Sequence, residues 1–196
     1  MILRLGSKVF FSYQKVFEMK RTEEYFQKYK LRHNKVVSMQ PLELFPQETD
    51  WTCAVACIRT LLSGITDHVP AEQEFVAACN MKPGPHYSKE IKDSRILDQY
   101  DVVYGCDIEQ KDFDMILDYM EQGYYIMLES MYNYAHWMVM LGYYPVEGSD
   151  IEKSKLLMFD PYYDQVRLIH VDEFISMWMD GDFANNGIMR DFIGIR

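Results

Sequence analysis

An α+β fold is predicted by the order of two sequence textures and by the breaks between them. The first half of the chain repeats apolar residues at helical spacing, with Gly64 and Gly123 standing where helices would stop. After Gly123 come short apolar or alternating runs, separated by turn-rich segments at 145–150 and 161–164. Helices first and strands later is the α+β order. A length of 196 residues is enough for one domain with a substantial core. No internal repeat, low-complexity tract or linker divides it.

Residues 9–32 set Val16, Phe17, Tyr25 and Tyr29 among many charges, which predicts an exposed amphipathic helix or helix pair. Residues 1–38 are therefore read as an N-terminal helical extension to a domain covering 39–196. Residues 39–47 are expected to be extended, broken by Pro41 and Pro46. Thr49 or Asp50 then caps a helix that stops at Gly64 and carries Cys53 in its first turn. Further helices are expected over 71–80, after Pro70, and over 110–122. Residues 124–130, 136–144, 156–160 and 165–170 read as successive strands of an antiparallel sheet. Residues 171–180 read as a helix packed on that sheet, and 188–196 as a closing strand.

Hydrophobic residues at 48% and charged residues at 26% are ordinary for a globular chain and argue against disorder. Twenty basic against thirty acidic residues give a net charge of −10, which disfavours nucleic acid because phosphate binding needs a basic face; a cationic peptide partner fits the charge. The first residues contain no apolar stretch of signal-peptide length, and no run approaches the roughly 18 apolar residues of a membrane span. The chain is large enough to fold without disulfides, and with no signal-peptide stretch a reduced, cytoplasmic compartment is the expectation.

A thiol is a useful nucleophile only as thiolate, and a helix N-terminus or an adjacent imidazole favours that form. Cys53 has the first by local sequence. Of the five histidines, His33 lies in a basic, exposed-looking stretch, and His68 and His86 lie in turn-like contexts. His136 opens an apolar strand, so a scaffold would hold its ring. Asp160 ends the next apolar strand, immediately before Pro161, and a neighbouring antiparallel strand would bring its carboxylate beside His136 to orient the base. Gln47 can point its amide N–H at an oxyanion, joined by the backbone N–H of Cys53.

Each of these has a plainer reading: a buried structural cysteine, a satisfied core histidine, a turn aspartate before proline, a loop glutamine. Trp51 and Trp137, which flank the two central residues, read as core packing or as a substrate-facing wall. Cys57 lies one turn after Cys53 and reads as core; no second ligand pair at zinc spacing accompanies it, so no metal or cofactor is expected. Cys79 and Cys106 read as core or incidental, and the tyrosine pairs as sheet-surface or groove residues.

Taken together, Gln47-x5-Cys53-x-x-Ala56, His136-Trp-Met-Val-Met-Leu-Gly-Tyr, Phe159-Asp160-Pro161 and the tail Val171-Asp-Glu-Phe174 with Trp178 resemble the C39 peptidase family of the papain-like clan, over residues 40–196. The resemblance implies a papain-like fold whose N-terminal helices carry the nucleophile against an antiparallel sheet. It implies Gln47 as oxyanion donor, Cys53 as nucleophile, His136 as base and Asp160 as orienter. Thr52 departs from the acidic residue common before the family's cysteine. The chain has no transporter domains, so the leader-cleaving role of transporter-fused members is not implied. The expected function is cleavage of a peptide or small amide bond through a thioester; acyl transfer to an acceptor other than water, and non-catalytic peptide binding on the same fold, are the alternatives.

Overall fold

The computed structural model describes residues 31–131, 135–178, 180–182 and 187–196. The helix expected over 9–32 lies outside the described residues, apart from Leu31 and Arg32. The described end of the expected extension is attached to the body: Leu31 is buried, and Val37–Ser38 (β1) pair with the strand that begins at His136.

Helix α1 (Cys53–Leu62) buries eight of its ten residues, and α2 (Glu72–Ala78) and α3 (Ser88–Ser94) follow it. Strand β2 (Val102–Tyr104) and helix α4 (Phe113–Glu121) lead to the main strands β3 (Tyr125–Ser130), β4 (His136–Tyr144), β5 (Lys155–Asp160) and β6 (Gln165–His170). Helix α5 (Val171–Met177), a short ribbon of β7 (Asp180–Asp182) and β8 (Gly187–Met189), and β9 (Phe192–Ile195) complete the chain. The large sheet runs β2-β9-β3-β4-β5-β6, with β1 also on β4, and every described pairing is antiparallel.

Successive side chains on a strand face opposite ways, and here both faces are covered. Met127, Trp137, Val139 and Phe159 pack with α1, Phe75 of α2 and Ile91 of α3. Ile126, Leu128, Met138, Met140 and Met158 pack with Phe113 and Leu117 of α4 and with Phe174 and Trp178. Burial on both faces explains why the first eight residues of β4 are all buried, instead of alternating with solvent-facing positions. A register shift between Met140 and Gly142 lets Tyr143 join the α4 side, where its hydroxyl donates to the His33 carbonyl at 3.0 Å. Tyr143 is thus a core residue and not a sheet-surface one.

Several expectations are corrected. The cap of α1 is Thr52, not Thr49 or Asp50, and its hydroxyl turns back to Thr49 instead of capping its own helix. Gly64 stands just past the helix end, as expected, with the ring of Tyr125 packed where its side chain would be. The closing segment 188–196 splits into β8 and β9, and β9 inserts between β2 and β3. Helix α3, β1 and β2 were not foreseen. His33 is not exposed: its ring lies between Asp118 and Glu121 of α4 at 2.8 and 3.4 Å. Among the described residues, no helix is long and apolar enough to cross a membrane.

Candidate active site

The site forms where the N-terminus of α1 meets one end of the sheet. Cys53 is the first helical residue, so its own N–H and the next few point out of the helix without intrahelical partners. The loop ahead of it is held from below. Glu72, fully buried at the start of α2, accepts the Glu48 N–H on both carboxylate oxygens at 3.1 Å. Burial pushes the Glu72 carboxyl above its ordinary pKa against these bonds. Arg59 ties the same loop to α1 through Glu48 at 3.2 Å.

His136 opens β4 and Asp160 closes β5; because the strands are antiparallel, both side chains stand at the same end of the sheet. His136 is 5% exposed and Asp160 3%. The His136 Nε2–H donates to Asp160 Oδ1 at 2.8 Å. That oxygen also accepts the Tyr162 N–H at 3.1 Å, and Arg167 reaches the other carboxylate oxygen at 3.3 Å. Asp160 is therefore both the turn residue read from Asp-Pro and the partner of His136. Burial alone would raise its pKa, but the His136 bond, the charges of His136 and Arg167 and the Tyr162 N–H hold it below the usual carboxylate value.

Burial likewise works against a charged His136 ring, yet its pKa is raised to about 9, through hydrogen bonds and charge from Asp160 and Cys53. With Nε2 on Asp160, Nδ1 is the ring nitrogen left for another partner. Burial pushes Cys57 well up and raises Cys79 and Cys106; of the two readings of Cys106, core or incidental, its exposure leaves the second.

Gln47 reaches the same corner. Its backbone N–H donates to the Pro161 carbonyl at 3.0 Å, tying the loop before α1 to the turn after Asp160. One amide N–H donates to the Thr49 carbonyl at 2.6 Å, which leaves the second for another acceptor, and its Oε1 is buried with no hydrogen-bond partner among the described residues. Trp51 and Trp137 both line a cavity beside Cys53, and Trp137 is at the same time fully packed, its indole N–H donating to the His86 carbonyl at 2.7 Å.

Sequence reasoning did not find Glu72, Arg167, His86 or Glu129. No local pattern marks them, since each acts through a contact made only by the fold.

No protein-family model and no curated protein matches this sequence. Solved structures do match. The fold is that of the papain-like cysteine peptidases. The peptidase domain of Streptococcus ComA, a bi-functional ABC transporter involved in a quorum sensing pathway, aligns with 78% of this chain and 96% of its own at TM-score 0.55 and 13% identity. UfSP from C. elegans aligns with 86% of this chain at TM-score 0.50 and 17% identity, and the match spans 34% of UfSP itself. At these identities the likeness is one of fold.

Proposed function

We propose that the chain is a cysteine peptidase or amidohydrolase in which Cys53 is the nucleophile, His136 the base and Asp160 its orienter. One observation carries this reading: a buried imidazole at the start of β4 is held through Nε2 by Asp160 at 2.8 Å, at the end of the sheet that meets the helix opened by Cys53. A thiol and an imidazole so placed exchange a proton to give thiolate and imidazolium.

The thiolate of Cys53 attacks the carbonyl carbon of a peptide or small amide. The oxyanion that forms is met by the Cys53 N–H and by the second N–H of the Gln47 amide. The intermediate collapses, the C–N bond breaks, and the leaving nitrogen takes the proton from His136. Neutral His136 then removes a proton from water, whose oxygen attacks the thioester; the carboxylic acid leaves and Cys53 recovers its proton. Asp160 keeps the ring in one orientation throughout and stabilises its charged form.

Labelling with a thiol-reactive probe near pH 6 tests the pair. Ordinary thiols of pKa about 8.5 are almost entirely protonated there, and Cys57, Cys79 and Cys106 are held higher still. The expected outcome is fast modification confined to Cys53, located by peptide mass and lost in Cys53→Ala and His136→Ala. Slow or indiscriminate labelling would leave the fold without working chemistry.

A further inference from the structure

We propose that the cavity beside Cys53 is a specificity pocket for a cationic side chain, so that the chain acts on peptides carrying lysine or arginine next to the scissile bond. This rests on Cys53 as the nucleophile and names the substrate class of that site.

The cavity measures about 360 Å³, and Asp50, Trp51, Cys53, His86, Glu129 and Trp137 contribute to its wall. Among the described residues, the wall has two carboxylates and no lysine or arginine. Glu129, on β3 opposite Trp137 of β4, is only 1% exposed, so a charge seated against it interacts with little screening by water.

A second observation points the same way. His86 is 8% exposed, and its Nδ1 is paired with Glu90 at 2.9 Å. Its Nε2 is buried with no hydrogen-bond partner among the described residues. A neutral imidazole that donates Nδ1–H to a carboxylate presents Nε2 as an acceptor, and a buried acceptor calls for a donor. One donor in the wall, the Trp137 indole N–H, is already engaged by the His86 carbonyl. A lysine ammonium or an arginine guanidinium brings what this wall of carboxylates and an acceptor nitrogen suits: several N–H donors and a positive charge.

Trp51, half-buried against the His86 ring with centroids 5.7 Å apart, adds an aromatic wall suited to a cation. The net charge of −10 draws such a substrate in. A neutral aliphatic side chain would offer His86 Nε2 no donor, and an acidic one would be repelled by the carboxylates.

Binding tests the pocket independently of turnover. The full chain carrying Cys53→Ala is titrated, by tryptophan fluorescence at low ionic strength, with capped acetyl-Ala-X-Ala-amides in which X is lysine, norleucine or glutamate. The lysine peptide is expected to bind at least about tenfold tighter than norleucine, with glutamate weakest. Glu129→Gln on the same background should remove most of that preference. Asp50→Asn, on an exposed residue, carries the same test if the Glu129 variant does not fold.

Equal affinities, a norleucine advantage, or a lysine preference unchanged in the folded variant would each overturn the proposal. Lysine preference in a protein whose wild-type Cys53 resists labelling would instead sink the hydrolase reading and leave the cation pocket standing. Labelled Cys53 without lysine preference would do the reverse.

Discussion

His136 is subject to two opposed effects whose balance fixes its chemistry. Burial favours the neutral ring, while Asp160 and Cys53 favour the charged one, and the outcome is a pKa of about 9, above the ordinary 6.5. A raised folded-state value means that the ring's contribution to stability, and the supply of imidazolium, are full below pH 6.5 and are lost as pH rises through about 9. An NMR titration of the His136 Cε1–H should therefore show a midpoint near pH 9. In Asp160→Asn the anion is gone and burial dominates, so the midpoint should fall to 6.5 or lower; Cys53→Ala should give a smaller drop in the same direction. A wild-type ring that titrates at or below 6.5 would remove the ion pair from the mechanism. Arg167 has a secondary part here, since it shares the Asp160 carboxylate at 3.3 Å and keeps it ionised.

At the scale of elements, α1 presents Cys53 correctly only if the loop before it is fixed, and that loop is fixed from α2. Removing Glu72 leaves the Glu48 N–H without its buried acceptor, a loss of about 1–3 kcal/mol, or roughly 2–4 °C of Tm per kcal/mol for a chain of this size. Glu72→Ala should lower Tm accordingly and slow Cys53 labelling at pH 6, although residue 72 lies outside the proposed chemistry. Glu72→Gln should be milder on both readouts: burial already disfavours the charge, and the amide retains one acceptor.

The same dependence on distant partners explains what the sequence did and did not disclose. Strands β4 and β6 were legible to the residue because their apolar runs are bounded by turn residues. Cys53, His136 and Asp160 were legible because each stands at the end of such an element. Helix α3 was not: its first residue, Ser88, receives its cap from the Asp191 carboxylate, 103 positions away. The strands β1 and β2 span two and three residues, too few for any periodicity to register. Gly64 was legible as a helix stop, whereas the Tyr125 ring that packs over it was not. His86 and Glu129 acquire meaning only when a coil and a strand close around one cavity.

Across the whole molecule the buried titratable groups set an asymmetric response to pH. Asp160 is held below its ordinary value, so its contribution is present above about pH 3.8 and is lost as pH falls through the lowered one. On the alkaline side the shifts are upward. His136 loses its contribution between 6.5 and about 9; Cys57 and Cys79, raised by burial, weaken the fold above the ordinary thiol value, and Tyr104, raised from 10.0 to about 12, does so above 10. Glu72, also raised by burial, tilts the balance in the same direction from pH 4.5 upward. The net charge of −10 at neutrality grows more negative as pH rises, and self-repulsion adds to these losses. Thermal stability should consequently peak on the acid side of neutrality, between the ordinary values of Asp160 and His136, and decline steadily from pH 6.5 to 10. Added salt screens the repulsion, so it should raise Tm more at pH 9 than at pH 5. Thermal scans across pH at low and high salt measure both trends. A Tm that climbs between pH 6.5 and 9 would mean that His136 is held neutral in the fold, and the thiolate–imidazolium pair would have to be abandoned with it.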